Sequence, residues 1–244
     1  MKNKNRLHKK ILKSFFKLFN KRLVDINAPA KPYKEGVAFL KKIIDAPNYI
    51  IDIGYADGTP DLTASFPMST FKYLLIDANP NFYAALNKAK QNYPNVSTEK
   101  CFCGEGEATV SLNLSKQGYE SSMYRDFEAG ETVQVKTRTL DNIVEQHNIS
   151  GPLLIKIDVE GSEIDVLKGA SDTLKMADVV ILETWINVPD SDSPGDFAKI
   201  VEIMDDNNFV VFDFFGGYSH KSGVLAHIDT VFVKRDSKYR KIII

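Results

Sequence analysis

Three stretches of this chain put acids and glycines where a nucleotide-like ligand would need them. The first is Asn48 to Gly58, NYIIDIGYADG: the apolar run Tyr49-Ile50-Ile51 ends at Asp52-Ile53-Gly54, and Gly58 follows. An apolar strand breaking into a glycine turn is how an open α/β sheet presents its backbone to a nucleotide. Glycine permits close approach and positive φ, both awkward for any residue with a side chain. The second is Asp77, nineteen residues beyond Gly58, at the end of the run Tyr73-Leu74-Leu75-Ile76. A carboxylate there can accept both hydroxyls of an adenosine ribose, each such bond contributing about 1.5–3 kcal/mol. The competing reading of Asp77 is a turn acid or helix cap. The third stretch is Ile155 to Glu163, IKIDVEGSE, with Asp158 and Glu160 at a strand-to-helix junction. Two acids on that rim can orient a substrate hydroxyl, take its proton or face a cationic centre. Glu163 is explained by backbone amides and the helix dipole alone. A nicotinamide enzyme fits less well, because Ala56 stands where the second glycine of G-x-G-x-x-G would fall.

These residues need a sheet to bring them together, and the hydrophobic pattern supplies one. A helix over 34–44 precedes the first strand, and a short helix or turn leads to the second at Tyr73–Asp77. Asn79-Pro80 opens a helix to about Gln91, with proline in its first turn, and a third strand covers Val96 to Phe102. From Gly104 to Thr139 the pattern alternates as in antiparallel strands, around a polar loop from Gly118 to Gly130. This region reads as an insertion carrying a loop near the ligand. A short helix near Leu140 leads to the most apolar strand, Leu153–Asp158, then a helix over 162–174 and a strand over 179–184. Glu183 ends that strand, with Thr184 and Trp185 beyond it; a helix over 195–207 and strands near 209–215 and 227–234 complete the chain. The prediction is an α/β fold with a mostly parallel seven-stranded sheet and one antiparallel strand near the C-terminus.

With 244 residues, 43% apolar and 26% charged, the chain reads as one globular domain plus an added segment. The net charge of −1 hides an asymmetry: nine Lys and Arg residues precede the first acid, Asp25. Residues 1–27 are expected to form a basic amphipathic helix, and 28–244 the main domain. On a helical wheel Leu7, Ile11, Leu12, Phe15, Phe16, Leu18, Phe19 and Leu23 share one half, opposite Lys9, Lys10, Lys13, Lys17 and Lys21. Such a helix can lie on an anionic membrane surface, each cation adding about 1 kcal/mol close to the lipid. Equally it can pack on its own domain or on a dimer partner. Lysines every few residues argue against a transmembrane span or a secretory signal, and the expectation is a cytoplasmic protein, peripheral at most. The acidic remainder argues against nucleic-acid binding. Cys101 and Cys103, two apart on one strand face, suit buried apolar positions better than a disulfide. The pattern requires no metal, although Asp158 with Glu183 has the donors for one.

DIGYADG, LIDANP, TLDNI, LLIKIDVEGSEIDVLKGA and VVILET together resemble the FkbM family of methyltransferases, over about residues 36 to 235. The resemblance implies a Rossmann-like class I methyltransferase fold, S-adenosylmethionine as donor, and O-methylation, often of a sugar or polyketide-type hydroxyl. By position, Asp52, Gly54 and Gly58 would cradle the methionine end and Asp77 the ribose, with Tyr55 and Ala78 beside them. Asp158 and Glu160 would lie at the reacting centre. The family usually has Ala-Asn where this chain has Tyr55-Ala56, and often Glu-Pro where it has Asp77-Ala78. Methyl transfer to an alcohol needs alignment and a base. The candidate bases are Asp158, Glu160, His220 and His227, with His220 on a loop between the last two strands. A donor-binding protein without catalysis, attached to a membrane, is the alternative class.

Overall fold

The computed structural model describes residues 31–116, 121–124, 130–187 and 196–243. The expected basic helix at 1–27 lies outside them, as does most of the 118–130 loop.

In chain order the elements are α1 (Tyr33–Ile43), β1 (Tyr49–Ile53), α2 (Pro60–Ser65), β2 (Lys72–Ile76), α3 (Tyr83–Asn92), β3 (Val96–Glu99), β4 (Phe102–Cys103), β5 (Ala108–Leu114), β6 (Ser121–Ser122) and β7 (Glu131–Arg138). Then come α4 (Leu140–Gln146), β8 (Leu153–Ile157), α5 (Glu163–Lys168), α6 (Ser171–Met176), β9 (Ala177–Trp185), α7 (Phe197–Asp206), β10 (Phe209–Ser219) and β11 (Leu225–Lys234). Seven strands form the main sheet in the order β3-β2-β1-β8-β9-β11-β10. β11 runs antiparallel to both neighbours, and the remaining pairs are parallel, as expected.

The apolar runs of the central strands follow from burial on both faces. Ile51, Ile53, Leu74, Ile76, Ile155 and Ile157 pack with α4 to α7 on one side. Ile50, Tyr73, Leu75, Leu154 and Ile181 pack with α1 to α3 on the other. From β1 the chain moves outward to β3 and later returns through β8 to fill the opposite half. The carboxyl ends of β1 and β8 therefore flank the crevice where open α/β sheets hold ligands.

The insertion after β3 is a second, four-stranded sheet in the order β4-β7-β5-β6, packed on its own small core of Phe102, Leu112, Leu114 and Val135. The third strand thus ends earlier than expected: main-sheet pairing stops at Glu99, and Phe102-Cys103 pair with β7 instead. The helix expected over 162–174 is two short helices. A Cβ at Gly169 would meet the carbonyl oxygen of Gly104 at 2.0 Å, so the chain passes flush against the insertion there. It restarts under the Asp141 carboxylate, which accepts the N–H groups of Asp172 and Thr173. No helix among the described residues is long and apolar enough to cross a membrane.

The tightest contact in the crevice is backbone to backbone. A Cβ at Gly54, where φ is +82°, would lie 1.7 Å from the carbonyl oxygen of Asp158. Gly161, at φ +98°, has nothing within 4 Å of its missing Cβ. Gly54→Ala should therefore cost at least about 3 kcal/mol, through overlap added to strain, and Gly161→Ala about 1–2 kcal/mol from strain alone. Denaturant melts of the two variants check the difference.

Candidate active site

The junction of β1 and β8 is built on a buried lysine. Lys156 Nζ lies 3.0 Å from Asp158 Oδ2 and 3.6 Å from Asp52 Oδ1, with Lys156 and Asp52 both buried. Burial alone would lower the lysine pKa, but the Asp158 and Asp52 carboxylates outweigh it and hold the ammonium charged. Thr59 Oγ1 donates to Asp52 Oδ2 at 2.6 Å, tying the far end of the glycine turn to the same acid. The Asp158 N–H donates to the Ile53 carbonyl at 3.0 Å, so the two strand ends are joined through backbone as well.

Between these ends and the small sheet lies a cavity of about 150 Å³, lined among others by Gly54, Ala56, Asp77, Ala78, Phe102 and Asp158. Asp77 is buried at its rim. Its Oδ2 accepts the Ala56 N–H at 2.7 Å and its Oδ1 the Asn79 N–H at 2.8 Å. Ala56 holds a left-handed φ of +52°, the conformation that turns its N–H toward this acid. Burial pushes the Asp77 carboxyl up to about 6, against the pull of those two N–H groups. Each oxygen keeps a second lone pair for a ligand hydroxyl. Cys101 and Cys103 are free, buried and also in the lining. A hydrogen bond with Cys101, and then burial, push the Cys103 thiol well up.

A second cavity, of about 270 Å³, shares Gly54, Ala56 and Asp158 with the first and extends to Tyr33, Lys156, Glu183 and Asp229. Carboxylate oxygens of Asp158, Glu160 and Glu183 lie within 4.8 Å of one another at this edge. Glu160 is held by strain, at φ +54°, in a turn secured from below by buried Glu163. Glu163 Oε1 accepts the N–H groups of Val159 at 3.3 Å and Gly161 at 3.1 Å, and burial pushes its carboxyl up to about 8. His227 Nδ1 sits 2.7 Å from Glu183 Oε1, a bond that raises the imidazole pKa. Asp229 is pushed up to about 7 by burial and by the charges of Asp158 and Glu183. The three converging acids have the donors and spacing for a cation. Two of them already have a nitrogen partner, the Lys156 ammonium for Asp158 and the His227 imidazole for Glu183.

A family model for the methyltransferase FkbM domain matches residues 52–211 of this sequence. The chain belongs to that family. Hexuronic acid methyltransferase AglP of Haloferax volcanii is 23% identical over 150 residues, 62% of this chain and 59% of AglP. The present chain thus matches less than two thirds of that relative's length. Methyltransferase 1 of Beauveria bassiana is 26% identical over 189 residues, 67% of this chain and 73% of that protein. Among solved structures, the Methanococcus jannaschii fibrillarin pre-rRNA processing protein aligns with a TM-score of 0.47 and 12% identity. That alignment covers 88% of this chain and 79% of the other, a likeness too low to bear on function.

The FkbM assignment makes S-adenosylmethionine the donor, and the cradle fits it. A side-chain-free Gly54, a carboxylate with open lone pairs at Asp77 and a cluster of acids nearby suit a cationic molecule that carries a ribose. Gly54, Asp77 and Ala78 line the first cavity, and Gly58 the second. Asp52 is fully buried beneath the turn, bracing it, and lines neither cavity. Tyr55 reaches the second cavity but is buried, part of the same hydrophobic core as Val37 and Leu62. Asp158 and Glu160 come together, joined by Glu183. His220 stands apart, exposed at the tip of the last hairpin with its ring against Tyr218. Lys156, Asp229 and Tyr33 went unremarked in the sequence. Lys156 carried a usable signal, a lysine inside an otherwise apolar central strand, which must have a buried acid as partner.

If ribose hydroxyls donate to Asp77, its ionised form binds the donor. Because its carboxyl is held near 6, affinity for S-adenosylhomocysteine should be level at pH 8 and fall as pH drops below about 6, by at most tenfold per unit. Asp77→Ala should weaken binding at least tenfold at pH 8, about 1.4 kcal/mol. Calorimetric titration across pH checks both.

Proposed function

We propose that this enzyme transfers the methyl group of S-adenosylmethionine to a hydroxyl oxygen of a sugar, glycan or similar small acceptor. The observation that carries the reading is the convergence of Asp158, Glu160 and Glu183 at the mouth of the donor cradle. That AglP is a hexuronic acid methyltransferase supports a sugar as the acceptor class.

When bound, the donor supplies an electrophilic methyl on a cationic sulfur. The chain's work is to align an acceptor oxygen with that methyl, exclude water and remove one proton. Asp158 and Glu160 stand where the hydroxyl would approach, and either carboxylate can accept its proton as the new bond forms. Lys156 Nζ, 3.0 Å from Asp158 Oδ2, fixes that side chain in direction. The strained turn at Glu160, supported by Glu163, holds the second acid toward the same point.

Asp158→Asn or Glu160→Gln should lower methyl transfer by about 10²-fold or more, with S-adenosylhomocysteine binding kept within a few fold. A tritium-transfer assay with parallel calorimetry measures the two. Normal turnover in both variants would place the base elsewhere. Binding without transfer to any acceptor, in the unmodified chain, would favour a non-catalytic donor-binding protein.

The basic, apolar-faced pattern of residues 1–24 supports attachment to an anionic membrane carrying the acceptor. Full-length protein should sediment with anionic vesicles, less so as salt rises, since attraction is screened within about 10 Å at 0.1 M. Removing residues 1–24 should abolish sedimentation and leave donor binding unchanged.

A further inference from the structure

Beyond the acids, the three C-terminal strands carry a second row of side chains that the methyl-transfer chemistry leaves unused. Tyr218 on β10 pairs with His227 on β11, which pairs with Trp185 on β9. Their rings form a continuous series, 5.9 Å between Tyr218 and His227 and 5.5 Å between His227 and Trp185, with neighbouring planes within 34°. The next row on the same face is acidic, Asp229 opposite Glu183. Successive same-face residues lie about 7 Å apart along a strand, so the aromatic row runs directly beside the acidic one. The His227–Glu183 contact of 2.7 Å ties the two together.

The chain makes room for this arrangement. A bulge at Gly216-Gly217 shifts the register between Phe215 and Tyr218. A Cβ at Gly216 would come within 2.5 Å of Asp229 Oδ2, so the glycine admits the acid while the bulge brings Tyr218 level with His227. Tyr218 is left 54% exposed, at the outer end of a row tied through His227 to the acid Glu183. Aromatic rings next to convergent hydroxyl-binding groups suit a sugar, whose C–H face stacks on the ring while its hydroxyls reach polar partners.

Charge restricts which sugar. The acids at this edge are Asp158, Glu160, Glu183 and Asp229. Lys156 is the one cation among the described residues lining the two cavities, and Asp158 and Asp52 hold it. His227 is held by Glu183. Among the described residues, a carboxylate on the acceptor would meet the like charges of Asp158, Glu183 and Asp229 and no uncommitted cation.

Resting on the sugar reading above, we infer that the acceptor ring docks against the Tyr218–His227–Trp185 row, and that it is a neutral or amine-bearing sugar rather than a uronate. The acceptor would then differ in charge from that of AglP.

Trp185 is the chain's single tryptophan and so reports on this row directly. Full-length protein saturated with S-adenosylhomocysteine is titrated with a methyl hexoside, the matching 2-amino hexoside and the matching hexuronide, following tryptophan emission. The neutral or amino sugar should change the emission saturably, with the hexuronide at least tenfold weaker. Tyr218→Ala should raise the apparent Kd at least tenfold while donor-product affinity stays level, and Tyr218→Phe should keep most of the affinity. Equal or tighter binding of the hexuronide, an unaffected Tyr218→Ala, or no response to any of the sugars would overturn the inference. Tritium transfer to the same sugars separates the two readings. Transfer without a Tyr218-dependent emission change sinks the aromatic subsite alone. Saturable binding without transfer sinks the proposed reaction and leaves the subsite standing.

Discussion

The contact on which the site depends is the buried ion pair system of Lys156 with Asp52 and Asp158. One ammonium spans the carboxyl ends of two adjacent parallel strands, and each acid anchors a different loop. Asp52, through Thr59, holds the glycine turn that faces the donor. Asp158 begins the turn that carries Glu160. Removing either acid would leave the lysine charge under-compensated, whereas losing the lysine would leave buried Asp52 beside half-buried Asp158 with no cation between them. The glycine turn and the acid-bearing turn are therefore set at a fixed separation by a single side chain. The overlap that a Cβ at Gly54 would create shows how little slack remains between them.

Around that pair the enzyme concentrates carboxylates whose ionisation burial opposes. Asp77 is held near 6, Asp229 near 7 and Glu163 near 8. For each, the folded pKa lies above the unfolded one, so its contribution to stability is complete at low pH and declines as pH rises through the folded value. A cationic donor favours the ionised forms and so offsets part of this cost. The acidity of the crevice thus works against the empty fold and for the loaded one. The family's donor and this chain's electrostatics agree on that point.

Much of this was legible in the sequence because it rests on local pattern. The runs at Tyr49–Ile53, Tyr73–Ile76 and Leu153–Ile157 are apolar because parallel strands are buried on both faces, and the glycines and acids that follow them mark the crevice. Asp77, Asp158 and Glu160 were recoverable for that reason. What escaped depends on contacts far apart in the chain. The break at Gly169 exists because Gly104 passes against it, and Asp52 turns inward because Lys156 waits on another strand. The aromatic row needs the register of three strands and a two-glycine bulge, none of which a linear pattern specifies. His220 looked well placed from its loop, yet the hairpin extends past the glycines and carries it out to the solvent.

The position of β11 has a consequence for how the enzyme comes into being. Since this strand lies between β9 and β10, the sheet cannot close until nearly the whole chain has left the ribosome. The donor crevice is assembled from residues ending near Glu163, so its parts are all present much earlier during synthesis. His227 and Asp229 arrive with the last strand, and with them the second half of both the acidic and the aromatic rows. β11 meets β10 across a short hairpin, but its pairing with β9 spans α7 and β10, and that loop must be closed before the contacts repay it. The residues lining the first cavity are therefore all synthesised before the strand that completes the acidic and aromatic rows.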